Sequence, residues 1–345
     1  MIVDFNKKIK NSNKFRQPAL NFINSGSYCQ YPKGTTEYYN FWDQEVDRCV
    51  NGYTAEDGDY ITGYNYFYLN YCPIQRLVYT TVNGETKKIR QAAFPDFYDY
   101  DYYFFQAVEE AENQGKHMVL TKARRKGYSY KTASMLCRNF FLIPNSKSYV
   151  YASNKQYLTE DGNLTKAWDY MDFIDANTAW GKKRQVANTA MRKRASMLVT
   201  DEFGNKVEMG YKSEIMGVSV KDNPNAVRGK AAKLIVWEEG GSFKELKAAW
   251  EIARPSVEQD GVAFGLMLLF GTGGDEGDNV AGLREAFYDP EAFNCIGFDN
   301  IWDEGAVGGK KCGFFVPQHT NLDVRDSNGN RIYMDEDGNT LHDKA

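Results

Sequence analysis

The middle of the chain alternates between short apolar runs and longer amphipathic stretches. "HMVLT" (117–121), "KSYVYAS" (147–153), Leu234 to Trp237 within "AAKLIVWEEGGSF" (231–243) and "VAFGLMLLFGTGG" (262–274) are bounded by turn residues. Near-continuous apolar runs of this length are how strands buried on both faces read. "YYFFQAVEEAENQG" (102–115) and "SYKTASMLCRNFFL" (129–142) read as helices, the first ended by Gly115 and the second stopped near Pro144. Strands alternating with helices predict an α/β domain with a largely parallel sheet and crossover helices. Upstream, "FYLNYCPIQRLVYTTVNGETKKIRQAAF" (67–94) reads as strands joined at Asn83-Gly84, a dipeptide that supplies the positive φ angles of a tight turn. Residues 1–60 have weak periodicity and 154–225 are polar and mixed. Residues 300–345 are rich in Gly and Asp and read as a linker or the start of something further. No internal repeat stands out.

Composition narrows the function classes. A chain of 345 residues makes one large domain or two ordinary ones. The net charge of -4 excludes a polycation, so contact with nucleic acid needs a local patch or an assembly. There is no run of about 18 apolar residues to span a membrane, and the N-terminus lacks the apolar core of a secretory signal. Six scattered cysteines without a CxxC pair, and only three histidines, give a structural zinc site little support. Reduced thiols are the simplest reading. The 24 Tyr and 21 Phe read mainly as core and surface rings rather than as a base-stacking platform.

The candidate chemistry begins at "MVLTKARRKGYSYKTAS" (118–134), a strand, a basic Gly-containing loop and a helix. Backbone N–H groups at such a turn, with the helix N-terminus, make an anion site. Gly127 would let the backbone approach a phosphate, and Ser129 would offer its hydroxyl to Mg²⁺. The residue before that serine, usually lysine in a phosphate loop, is Tyr128. The positive charge lies upstream at Lys122, Arg124, Arg125 and Lys126. Lys122 at the front of the loop could fold back across the phosphates; the bland alternative is a solvated basic turn. "KLIVWEEGG" (233–241) ends an apolar strand in two acids. There Glu238 would hold Mg²⁺ and Glu239 would polarise a water. "MLLFGTGG" (267–274) would place Thr272 near a terminal phosphate. Each signal alone is weak. Together they stand in the chain order that phosphoryl chemistry needs, each at a strand's carboxyl end, where open α/β sheets bind ligands.

The sequence resembles the large subunit of tailed-phage terminases, the motor that packages DNA into procapsids. "KARRKGYS" (122–129) is similar to a deviant Walker A motif with its lysine at the front, "LIVWEE" to the acidic Walker B strand, and "FGTGG" to the motif coupling hydrolysis to movement. The departures are Tyr130, where one such variant has a second lysine, and Glu238, where Asp is more usual. The resemblance implies a P-loop NTPase of the ASCE/RecA-like kind, a three-layer fold with a mostly parallel central sheet. It implies ATP and Mg²⁺ as ligands, Lys122 in the displaced lysine's role, phosphate contacts from Arg124 or Arg125, and Glu239 as the catalytic glutamate. Arg228, in "NAVRGKAAKLIVWEE", takes the part of an arginine acting on a neighbour's nucleotide. Gln106 takes that of the adenine-reading glutamine, with Tyr103 or Phe105 stacking on the base.

The implied organisation is an N-terminal extension (1–90), an ATPase core (91–290) and a linker (291–345) towards a nuclease domain that this stretch is too short to build. Asp323, Asp326, Asp335 and Asp337 sit in turn-like sequence, so the chain reads as an excised ATPase portion without nuclease activity. The implied partners are double-stranded DNA, the portal protein, the small terminase subunit and further copies in a ring, pentameric by resemblance. No membrane is involved. The implied place is the host cytoplasm at the portal vertex of the procapsid, outside the mature virion. The basic stretch "GKKRQVANTAMRKR" (181–194) is a candidate DNA grip or a solvated basic helix face. On the residues alone, a helicase-like or remodelling ATPase and a non-catalytic nucleotide-fold protein remain open.

Overall fold

The computed structural model describes residues 3–82, 85–221, 223–229, 231–272, 280–303, 309–326 and 329–341. Two compact units can be distinguished, each discontinuous in sequence. The first comprises 1–6, 103–168 and 182–320; the second comprises 7–102, 169–181 and 321–345.

The first unit is built on an eight-stranded sheet. Its order is Phe314–Val316, Met118–Lys122, Leu266–Thr272, Leu234–Trp237, Lys147–Ala152, Glu214–Ser219, Arg192–Arg194 and Ala187–Asn188. The first six strands run parallel, Arg192–Arg194 runs antiparallel to them, and Ala187–Asn188 pairs antiparallel with Arg192–Arg194. Met118–Lys122 and Leu234–Trp237 are buried at every position, so both sheet faces are covered. That is the three-layer α/β architecture expected from the alternation of strands and helices.

The strand order decides how the site is made. The strand feeding the basic loop is not beside the strand ending in the acids. Leu266–Thr272 lies between them and pairs with both, with Thr272 opposite Lys122 and Leu269 opposite Trp237.

Helix Tyr128–Leu142 follows the loop and is buried over most of its length. Two expectations need correction in this unit. Residues 262–263 belong to a small antiparallel pair with Glu258–Gln259, so the long strand begins only at Leu266. The basic stretch 181–194 is not a helix but ends in the antiparallel sheet edge. Arg192 and Arg194 pair with Glu214 at 2.7 and 3.1 Å, and Arg194 also pairs with Glu208. Arg192 and Arg194, two of its six basic residues, are thereby paired within the fold.

In the second unit, helix Gly63–Tyr71 replaces the first part of the expected strand pair. Thr62 accepts the Asn65 N–H at 3.3 Å as N-cap, and every residue of the helix is buried. Capping and all-round burial overrode the strand preference of its tyrosines. Strands Ile74–Val82 and Glu85–Ala93 pair antiparallel, with Val82 opposite Glu85. Asn83-Gly84 lies outside the described residues. The helical core holds Glu45, which accepts from Tyr71 at 2.6 Å, Tyr66 at 3.0 Å and Arg48 at 2.7 Å.

The segment expected to be a linker is tied down. Asp99 accepts from the Thr340 N–H at 2.7 Å and from Asn321 at 2.7 Å. Among the described residues, no helix is long and apolar enough to cross a membrane.

Candidate functional site

The loop between the strand Met118–Lys122 and the helix Tyr128–Leu142 opens on a cavity of about 810 Å³. Gly127 precedes the helix with φ 73°, and no side chain caps the helix start. Arg125 also has a positive φ, 61°, and Arg124 and Arg125 are exposed at the cavity wall. An uncapped helix start carries unsatisfied N–H groups and the positive end of the helix dipole, which suits an anion.

Five residues named from the sequence converge here. Lys122 is buried, and its Nζ lies 3.2 Å from the Thr272 Oγ1 and 3.4 Å from the Glu239 Oε1. This meeting follows from the register that sets Lys122 opposite Thr272. The Ser129 hydroxyl donates to the Glu238 Oε1 at 2.6 Å. Burial pushes the Glu238 carboxyl up to about 7; the bond from Ser129 opposes that rise and the neighbouring Glu239 adds to it. Glu239 is one-third exposed and adopts φ 52°, a left-handed conformation at the start of the short helix Gly240–Ser242. The glycines at 273 and 274 of "FGTGG" lie outside the described residues.

The other candidates are placed differently. Lys126 turns away from the cavity and bonds the carbonyls of Gln318, at 2.8 Å, and Thr320. Tyr128 is buried edge-on against Phe104, with ring centroids 4.9 Å apart. The position usually held by a phosphate-binding lysine is therefore a core position here. Gln106 is half-buried on helix Asp99–Asn113 and does not line the cavity. Tyr103 and Phe105 are fully buried, which leaves no ring face for a base. Arg228 is exposed, bonds Asn225 at 3.0 Å and lines a separate hollow of about 500 Å³ with Ile252 and Pro255.

Sequence reasoning missed Asn163, Glu160 and Asp161. Asn163 donates to the Glu238 Oε2 at 3.1 Å and to the Thr132 hydroxyl at 2.6 Å, holding the second oxygen of the buried acid. Nothing in "DGNLT" marks that role. Glu160 and Asp161 also line the cavity, with Asp161 paired to Lys166 at 2.9 Å. Lys131 is buried, and its Nζ reaches back to the Lys126 carbonyl at 2.5 Å and lies 4.1 Å from the Tyr128 ring centre.

The acid and hydroxyl suit a magnesium ion. Among the described residues no group of three or more His, Cys, Asp or Glu could hold a metal. Magnesium does not need one, since it keeps several waters and takes ligands from substrate phosphates beside one or two protein oxygens. A buried carboxylate without a cation is costly, and Glu238 with Ser129 supplies the hard-oxygen pair that such an ion would relieve.

No family model matches the chain, and no curated protein matches it. Solved structures to which it is similar include the large-terminase ATPase domain of Thermus phage P74-26. That domain is 16% identical with TM-score 0.41, over 57% of this chain and 74% of the other. The HK97 bacteriophage large terminase is 13% identical with TM-score 0.36, over 56% and 37%. The large terminase of a thermophilic bacteriophage in complex with ADP is 10% identical with TM-score 0.32, over 47% and 34%.

Proposed function

We propose that this chain is an ATP-hydrolysing motor module of the phage large-terminase kind, driving double-stranded DNA through a portal into a procapsid. One observation carries the reading. Lys122, Ser129, Glu238, Glu239 and Thr272 meet in one cavity at the carboxyl ends of three neighbouring parallel strands.

The residues divide the work. The uncapped helix start and Arg124 and Arg125 receive the phosphates. Lys122 brings positive charge to the place where negative charge develops in phosphoryl transfer. Glu239, the more exposed acid, orients the attacking water. Glu238 and Ser129 would hold Mg²⁺, which when bound offsets charge on the β- and γ-phosphates. Thr272, beside Lys122 and on the strand next to the acids, registers loss of the terminal phosphate. Arg228 is exposed and lines a different hollow, which suits an arginine supplied to a neighbouring copy in a ring. Small-subunit, portal and DNA contacts complete the proposed assembly, with the DNA contacts weakening as salt rises.

The test is phosphate release from ATP with and without double-stranded DNA. Glu239→Gln should lower turnover by about a hundredfold or more while nucleotide binding persists. Turnover retained in that variant would sink the reading.

A further inference from the structure

A second cavity, of about 860 Å³, adjoins the first and shares Lys122, Arg124, Thr272 and Val280 with it. Its walls differ in chemistry. Phe287, Tyr288, Trp302 and Phe315 line it, with Trp302 and Phe315 ring centres 5.0 Å apart and Phe287 and Phe315 6.3 Å apart. Trp302 and Tyr288 remain 38% and 47% exposed. Polar groups stand beside the rings. Asn300 bonds Asp303 at 2.8 Å, the Tyr288 hydroxyl lies 3.4 Å from Asp303, and Thr121 and Gln318 also line the wall.

We infer that this aromatic cavity takes the base and ribose of the nucleotide whose phosphates occupy the first cavity. The inference rests on the nucleotide reading above and names where the other half of the ligand goes.

The two cavities differ in charge. The first is lined by Glu160, Asp161, Glu238 and Glu239, the second by a single carboxylate, Asp303, and the two meet at Lys122, Arg124, Thr272 and Val280. A purine needs apolar, stackable surface with a few polar groups at its edge, and the second cavity supplies both. The rings proposed from the sequence cannot serve, since Tyr103 and Phe105 are fully buried. Arg124, common to both cavities, stands where the phosphate chain would meet the ribose.

The test compares ATP with inorganic tripolyphosphate, each with magnesium, by titration calorimetry. The wild-type chain should bind ATP more tightly than tripolyphosphate. Trp302→Ala should weaken ATP binding about tenfold or more and leave tripolyphosphate binding unchanged, whereas Trp302→Phe should keep most of the ATP affinity. Unchanged tripolyphosphate binding also reports that the variant is folded. Equal ATP affinity in the wild type and Trp302→Ala overturns this inference alone, as does a wild type that binds ATP no tighter than tripolyphosphate. A Trp302→Ala variant that loses both ligands equally overturns it too. If the wild type binds neither ligand, the nucleotide reading fails and this inference falls with it.

Discussion

Glu238 and Glu239 are neighbours in sequence with opposite surroundings. Glu238 is buried and bonded by Ser129 and Asn163, and burial lifts its carboxyl to about 7. Glu239 is partly exposed in a left-handed conformation that costs a non-glycine residue about 1 kcal/mol or more. Strain of this kind is held where surrounding structure over-determines it, here by the Gly240–Ser242 turn. The raised carboxyl has a consequence for stability. Between its ordinary value of 4.5 and about 7, folded Glu238 keeps a proton that the unfolded chain has released. Its contribution to stability is complete below 4.5 and is lost as pH rises towards 7. The melting temperature of the wild type should therefore fall, relative to Glu238→Gln, by several degrees from about pH 5 to about pH 7.5. Parallel melting curves for the two proteins across that window would show that Glu238 is not the titrating group.

At the scale of elements, the packing of the acid-bearing turn against the Leu266–Thr272 strand joins the two halves of the site. A Cβ placed on Gly271 would come within 2.6 Å of the Leu283 side chain and 3.2 Å of the backbone nitrogens of Gly240 and Gly241. The first glycine of "FGTGG" thus serves close approach between strand and turn, which keeps Thr272 beside Glu239 and Lys122. Gly271→Ala should cost about 1–3 kcal/mol in urea unfolding and lower ATP turnover more than tripolyphosphate binding. Wild-type turnover in that variant would mean the contact is irrelevant to chemistry. Far from the cavity, His117 holds the other end of the same pairing. It accepts the Met267 N–H at 3.2 Å and faces Glu258 at 3.1 Å, with burial pushing its pKa down to about 4. Neutral His117 accepts at Nδ1 and donates at Nε2, so one side chain fixes the start of two strands.

At the scale of the whole molecule, the proposed motor needs more than one copy. Lys122 and Arg228 line different hollows, so a nucleotide completed by a neighbour's arginine would draw one residue from each copy. Lys122→Ala and Arg228→Ala should each reduce ATP turnover strongly by themselves. Mixed in equal amounts, they should recover part of it, because some interfaces then hold an intact Lys122 and an intact Arg228. Phosphate release from the mixture checks this, and a mixture no more active than its components would place Arg228 outside the neighbour's site. Chain order and spatial order also part company at this scale. The three-residue strand Phe314–Val316 joins the central sheet beside Met118–Lys122, although its sequence surroundings read as a linker. Three turns of the form Asp-x-x-Gly-Asn, at Asp201, Asp326 and Asp335, each accept the backbone N–H of the asparagine four residues on. A five-residue turn of this kind carries no apolar period, so hydrophobic patterning does not mark it.

By itself the sequence determined the local features. These were the apolar strands, the helix after the basic loop, the Leu234–Trp237 strand ending in two acids, and a basic loop with Lys122 at its front and Tyr128 before its serine. Each depends on neighbours within a few residues, where propensity and burial period act directly. Only the tertiary structure decided which strand lies between loop and acids, and so which side chains meet. It turned Lys126 outward and buried Tyr103, Phe105 and Tyr128. It also brought Asn163 to Glu238 and gathered aromatic rings from 287 to 315 beside Lys122. Parallel strand pairing and cavity walls are made by residues far apart in the chain. Their partners are selected by global packing, which no local pattern encodes.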